Sequence, residues 1–199
     1  EEVDPEASPL ELYLRGKQRV VALNGGGRWA QKATSYAFYI EDILQAIPSS
    51  RLVFLLRNPL DLTASLKRRG GWSHVLRMVW GWNRGTRHVQ KWRSDDRILL
   101  VRYEDLVRGP EAVLRELCTF AELPFTERLL NIPHVNRSET PYNTDSDTAG
   151  FDDSRVYYYQ DVLSPEEEAV ARQLVNDDRL QSLYPDLPSA REYQRRTQA

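Results

Sequence analysis

The chain has 199 residues, 41% of them hydrophobic and 28% charged, and this size and composition predict one soluble domain over residues 1–199. Its formal net charge of −2 argues against a chain-wide electrostatic attraction to nucleic acid or to an anionic membrane, and its single cysteine excludes a disulfide framework. No apolar run of about 18 residues and no signal peptide are visible, so we expect a cytoplasmic protein without a membrane partner.

The first third of the chain is predicted to be mainly helical. Residues 10–23 form an apolar run that predicts a helix, and the three glycines at 25–27 end it. Residues 28–32 are a candidate short strand. A second helix is expected over residues 36–46, where Pro48 stops it.

A buried strand followed by a capped helix is the most informative stretch of the sequence. Residues 51–56 form an apolar run of the kind found in parallel strands, and the run ends at Arg57. Asn58 and Pro59 then supply the N-cap and the first residue of a helix predicted over residues 59–69. A guanidinium beside the N–H groups of a helix N-terminus suits a phosphate or sulfate. Ser65 follows two helical turns later on the same side. This unit predicts an anion-binding site.

The rest of the chain alternates between helices and strands. The next predicted elements are a long helix, a second buried strand and a further helix, at residues 72–92, 97–103 and 110–121. Residues 124–160 are polar and irregular, Ser164 and Glu167 form a capping box that opens a last helix, and residues 191–199 are a frayed tail. Alternating strands and helices predict an α/β fold with a parallel sheet and right-handed crossovers.

Four segments resemble, in order and spacing, those of sulfotransferases that use 3′-phosphoadenosine-5′-phosphosulfate (PAPS). The segment RNPLDLTAS from Arg57 fits that family's R-[DN]-P-x-[DE]-x-x-x-S pattern. The segment QKATSYAF contains Lys32, which resembles a lysine that the family has before the helix predicted here over residues 36–46. VRYEDLVRGPEAVLRELCTFAELPF and the SRVY…LSPE stretch from Ser154 are similar to two later segments. The resemblance covers residues 28–175, the predicted core. The form resembles bacterial members and is nearer to the tyrosylprotein and glycosaminoglycan branches than to the cytosolic phenol branch.

The resemblance implies a fold and a set of site residues. The fold would be a three-layer α/β/α domain with a central parallel sheet, like that of P-loop NTPases. Arg57 and Ser65 would bind the 3′-phosphate of PAPS, Arg155 would reach it from a late loop, and Tyr103 would pack at the nucleotide. Lys32 would be catalytic, at the sulfuryl group or its bridging oxygen. Each residue also has a purely structural alternative: a solvated arginine or lysine, a helix-face serine or a core tyrosine. No metal is expected.

Two departures from the family limit what is implied. The family's strand–loop–helix with P-[KR]-S-G-T-[TS], which cradles the 5′-phosphosulfate, should precede Lys32 and does not occur, so we expect this N-terminal unit to be missing. Thr34 stands where the phenol branch has its catalytic histidine, and Gln31 replaces the usual glutamate. Glu104 and Asp105 are interpreted as capping and pairing carboxylates, not as an acid–base pair. The sequence therefore identifies no catalytic base.

The predicted function is transfer of a sulfuryl group from PAPS to a hydroxyl or amine, with release of adenosine 3′,5′-bisphosphate (PAP). The acceptor would be a small molecule, a saccharide or a peptide. Two alternatives stay open: a non-catalytic nucleotide-binding or scaffold module that keeps the 3′-phosphate site, and a P-loop kinase relative. The acceptor cannot be identified because acceptor pockets are built from loops such as residues 131–160. The oligomeric state is also undetermined.

Overall fold

A computed structural model describes residues 8–132 and 151–197 of the chain. The chain divides into two compact units, Glu1–Ser50 and Arg51–Ala199. The single domain predicted over residues 1–199 stays a prediction. Of the predicted irregular region, residues 133–150 lie outside the described part.

The first unit is helical, as predicted. Its first helix, α1, spans Pro9–Leu23 and begins with a capping box. There the Ser8 hydroxyl accepts the Glu11 N–H at 3.3 Å, and the Glu11 carboxylate accepts the Ser8 N–H at 2.8 Å. The helix predicted over residues 36–46 is divided into a 3₁₀ helix, Thr34–Phe38, and a short helix α2, Ile40–Ala46.

The strand predicted at residues 28–32 is wrong. This segment is irregular, and its Trp29 and Gln31 side chains contact Tyr13 of helix α1. The Trp29 ring meets the Tyr13 ring edge to face at 6.2 Å, and the Tyr13 hydroxyl bonds to Gln31. The Lys17 ammonium lies over both rings. A strand is stable only when a neighbour pairs with its backbone, and none of the described strands pairs with this segment.

The second unit contains a parallel sheet, which confirms the predicted α/β class. Strands β1 (Leu52–Leu56) and β2 (Ile98–Arg102) pair in register from Leu52 with Ile98 to Leu56 with Arg102. Helices α3 (Pro59–Gly70) and α4 (Trp72–Trp92) connect them, with bounds within one residue of those predicted.

Strand β1 is less buried than the apolar run predicts. Its alternate residues Val53 and Leu55 are 47% and 55% exposed. A parallel strand is buried on both sides only where both faces of the sheet are covered. The prediction of a fully buried strand is therefore wrong for one face of β1.

The remaining elements of the second unit are helices and a 3₁₀ turn. They are α5 to α10 at Tyr103–Arg108, Pro110–Ala121, Tyr159–Val162, Pro165–Leu174, Asp177–Leu183 and Ala190–Thr197, with the 3₁₀ turn at Glu127–Leu130. The capping box of α8 is confirmed, and Cys118 is buried. The frayed tail is wrong up to residue 197, because α10 forms there and its Tyr193 ring packs 4.8 Å from the Arg172 guanidinium. None of the described helices is both long and apolar enough to cross a bilayer.

The core of the second unit lies between α3, α4 and the helices that follow residue 157. Leu60 and Ala64 of α3, Val75 of α4 and Leu180 of α9 are completely buried in it. This core fixes the start of α3, where strand β1 ends and the predicted anion site begins.

Candidate anion-binding site

The register of the sheet places Arg57 beside Tyr103. Leu56 and Arg102 are the last paired residues of the two strands, so the next residue of each strand leaves the sheet at the same edge. The Arg57 guanidinium carbon lies 4.6 Å from the centroid of the Tyr103 ring, a cation–π contact. Partial burial raises the pKa of Tyr103, so its phenol stays neutral.

The start of α3 forms as predicted, but the N–H groups of Asn58 and Leu60 make hydrogen bonds within the protein. The Asn58 side chain accepts the Leu60 N–H at 2.9 Å and caps the helix. The Asn58 N–H itself donates to Glu104 at 2.8 Å, and the Trp82 indole donates to the Arg57 carbonyl at 3.2 Å. The Asn58 and Leu60 N–H groups are therefore already hydrogen-bonded within the protein.

Tyr158 joins the late loop to the site. Its ring centroid lies 5.8 Å from the Arg57 guanidinium carbon and 5.6 Å from that of Arg155. Its hydroxyl donates to the Asp61 carbonyl at 2.9 Å and is hydrogen-bonded to the Ser65 hydroxyl. Burial raises the pKa of Tyr158. The Arg155 carbonyl in turn accepts a hydrogen bond from Arg57 Nη2 at 3.1 Å.

The structure therefore brings together four of the five predicted site residues. Arg57, Ser65, Tyr103 and Arg155 all lie within one cluster around Tyr158. Tyr158 was not among the predicted site residues, although it directly follows the Ser-Arg-Val-Tyr stretch. The fifth residue, Lys32, is an exposed residue of the first unit. All five roles stay predictions.

The cluster has unused hydrogen-bond donors. Arg57 Nε and Asn58 Nδ2 are buried and have no acceptor among residues 8–132 and 151–197. Buried donors without acceptors are rare in proteins, and a donor on a guanidinium is costly to leave unpaired. An anion such as a phosphate supplies the acceptor that Arg57 Nε lacks, and the second guanidinium, Arg155, adds charge nearby. The residues present fit a phosphate group.

Asp61 is a further residue that the sequence analysis left without a role. Its side chain is completely buried, and its two carboxylate oxygens accept the N–H groups of Tyr157 at 2.9 Å and Tyr159 at 3.1 Å. Burial raises the pKa of this carboxyl to about 6, although both hydrogen bonds and the Arg57 charge oppose the shift. In the sequence, Asp61 could have been found as the acidic residue of the R-N-P-x-D pattern.

The raised pKa of Asp61 predicts a pH-dependent stability. The folded protein holds the proton more tightly than the unfolded chain, whose carboxyl has a pKa near 3.8. The contribution of Asp61 to stability is therefore fully present below about pH 4 and is lost as the pH rises through about 6. We expect the free energy of unfolding of wild type to fall by about 3 kcal/mol, relative to that of Asp61→Asn, between about pH 4 and pH 7. Urea unfolding of both proteins across this range measures it. A difference that is constant with pH would contradict the shifted pKa.

Glu104 is a structural carboxylate whose hydrogen-bond partners belong to other elements, and it does not cap its own helix α5, so the capping part of its interpretation is wrong. It is completely buried, and it accepts the Asn58 N–H at 2.8 Å and the Tyr184 hydroxyl at 3.1 Å. The neighbouring Asp105 is exposed and pairs with Arg102 at 3.6 Å. Glu104 thus ties the end of β1 to the end of β2 and to helix α9.

Comparisons with known proteins identify a family and a fold. A family model described as the sulfotransferase family matches residues 10–127. The fold is similar to the sulfotransferase domain from the curacin biosynthetic pathway, at 22% identity and a TM-score of 0.53, over 81% of this chain and 66% of that one. It is also similar to the sulfotransferase domain of the Synechococcus PCC 7002 olefin synthase, at 25% identity and a TM-score of 0.57, over 79% of this chain and 58% of that one. No curated protein sequence gives a significant match.

These matches identify the family and the fold. The chain spans 66% of the length of the first solved domain and 58% of the length of the second. The family model covers more than half of the 199 residues and includes Arg57, Ser65 and Tyr103. The α/β fold with a parallel sheet is that of sulfotransferase domains. The chain belongs to the sulfotransferase family.

Proposed function

We propose that this chain is the larger part of a sulfotransferase that transfers a sulfuryl group from PAPS to a hydroxyl or amine acceptor. The observation that carries the proposal is the Arg57 guanidinium, stacked on Tyr103 with a buried Nε that has no acceptor in the described part of the chain. Arg155 and Ser65 lie at the same cluster. This set of donors and charges suits the 3′-phosphate that distinguishes PAPS from other adenosine nucleotides.

The cluster would act by binding and orienting the donor nucleotide. Arg57 would donate to the 3′-phosphate through Nε, while the rings of Tyr103 and Tyr158 hold the plane of its guanidinium. Arg155 would supply a second positive charge. When bound, PAPS supplies an activated sulfuryl group: the acceptor oxygen or nitrogen forms a bond to sulfur as the bond from sulfur to the bridging oxygen breaks, and PAP leaves. A role of Lys32 in stabilising the charge that develops at the sulfuryl group stays a prediction from the sequence.

A transfer assay tests the proposal on the full-length protein. We expect label from sulfur-labelled PAPS to appear on an acceptor in a panel of phenols, saccharides, amines and tyrosine peptides, with PAP as the second product. ATP labelled at its terminal phosphate should transfer nothing, whereas transfer from ATP would support the kinase alternative. Tight PAP binding without any transfer would support the non-catalytic module. A protein that binds neither PAP nor PAPS would overturn the proposal.

Several finer statements remain predictions from the sequence. They are a bacterial origin, a cytoplasmic location and an acceptor that is a small molecule, saccharide or peptide.

A further inference from the structure

We propose that Asp61 is the positioning residue that holds the late loop against helix α3 and so assembles the anion site. Its carboxylate, with the N–H groups of Tyr157 and Tyr159, forms a contact that we call the Asp61 clasp. The inference rests on the proposed function, because the site it assembles is the one assigned to the 3′-phosphate.

The Asp61 clasp positions Tyr158, the residue that contacts both arginines of the site. Tyr157 and Tyr159 flank Tyr158, whose ring lies under both Arg57 and Arg155. One carboxylate oxygen takes the N–H before Tyr158 and the other takes the N–H after it, at 2.9 and 3.1 Å. Two hydrogen bonds to one charged group fix both the position and the orientation of the peptide units on either side. The clasp therefore determines where the Tyr158 ring lies.

The backbone of the late loop needs such a restraint. Tyr157 has a φ of 61°, a left-handed conformation that is unfavourable for a residue with a bulky side chain. Strained residues of this kind persist only where surrounding contacts hold them. The Tyr157 N–H is held by Asp61, its hydroxyl bonds to Asp186, and its ring lies 4.9 Å from the Arg108 guanidinium carbon. The turn that places Arg155 and Tyr158 at the site is therefore held by these contacts, because its backbone conformation is not intrinsically favourable.

The clasp also links the loop to the helix that carries Arg57 and Ser65 at its start and second turn. Asp61 and Tyr157 are 96 residues apart in the chain, so the two halves of the site have no local connection. Two further ties are the hydrogen bond from the Tyr158 hydroxyl to the Asp61 carbonyl and that from Arg57 Nη2 to the Arg155 carbonyl. Both ties depend on the loop backbone that the clasp holds. The charged groups that face Asp61 are Arg57 and Glu104.

Nucleotide binding tests the clasp directly. Calorimetric titration with PAP and with adenosine 5′-phosphate, which lacks the 3′-phosphate, gives a ratio of affinities that isolates the contribution of that phosphate. In Asp61→Asn, the amide oxygen can accept one N–H, but the amide NH₂ faces the other donor. We expect this variant to lose about tenfold or more of the wild-type preference for PAP. Thr63→Ala is the matched control, because Thr63 is buried in the same helix and its hydroxyl donates to the Pro59 carbonyl of that helix. It should keep the preference.

A double-mutant cycle separates positioning from a general loss of stability. Arg155→Ala should reduce the preference for PAP in wild type and have little further effect in Asp61→Asn, because Arg155 is already misplaced there. Independent, additive effects of the two substitutions would overturn the inference, as would full retention of the preference by Asp61→Asn. A wild-type protein that does not prefer PAP over adenosine 5′-phosphate would overturn the proposed donor and this inference together. A wild type with the preference and an unaffected Asp61→Asn would overturn the inference alone.

Discussion

Replacing Arg57 with alanine is expected to weaken PAP binding about 100-fold, the largest effect of any substitution in the site. The variant removes a guanidinium whose Nε is buried without an acceptor in the described part of the chain, and with it the charge that the 3′-phosphate would meet. It also removes the tie to the Arg155 carbonyl and the contact with the Tyr103 ring. Isothermal titration of wild type and variant with PAP measures the change.

Two further variants sharpen this prediction. Arg57→Lys keeps the charge but loses the planar fork and its stacking, so its affinity should lie between those of wild type and Arg57→Ala. Arg115→Ala is the control, because Arg115 is an exposed arginine of α6 that pairs with Glu111 at 2.8 Å. It should bind PAP as wild type does. Equal affinities for wild type and Arg57→Ala would rule out Arg57 as a phosphate ligand.

Replacing Glu104 with alanine is expected to destabilise the fold by about 3 kcal/mol. The substitution leaves two buried donors, the Asn58 N–H and the Tyr184 hydroxyl, without their acceptor. It also creates a cavity in place of a completely buried side chain. Equilibrium unfolding in urea, monitored by circular dichroism, measures the loss.

The conservative variant tests the reason for that loss. In Glu104→Gln the amide oxygen can still accept the Asn58 N–H, and the Tyr184 hydroxyl can rotate to accept from the amide NH₂. This variant should therefore lose only about 1 kcal/mol. Glu116→Ala, at an exposed position of α6, should change the free energy of unfolding very little. If Glu104→Gln proves as unstable as Glu104→Ala, hydrogen bonding is not what Glu104 contributes.

Helices with local signals were predicted well. The bounds of α4 and α6 agree with the structure to the residue, and those of α1 and α3 to within one residue at each end. Their start and stop signals, such as Asn58-Pro59 and the glycines at 25–27, act within one or two turns of the chain. The short helix α5 was missed because the apolar pattern of β2 runs directly into it at Tyr103.

Elements that need a distant partner were predicted less well. The segment at residues 28–32 has a composition compatible with a strand but packs its Trp29 and Gln31 side chains on α1 instead. Strand β1 was predicted correctly as a strand, whereas the exposure of Val53 and Leu55 depends on what covers the sheet. Neither outcome is encoded within a window of ten residues.

The sulfotransferase resemblance can be recognised from motifs in the amino-acid sequence alone. The strand–Arg57–helix unit and the placement of Ser65 two turns into α3 follow from local spacing, capping and periodicity. The residues that surround Arg57 are set by the tertiary structure. The strand register brings Tyr103 to it, and the Asp61 clasp brings Arg155 and Tyr158 across a separation of 96 residues. Such contacts depend on the packing of whole elements, because a single buried carboxylate can be matched to its N–H donors only once both halves of the site are folded.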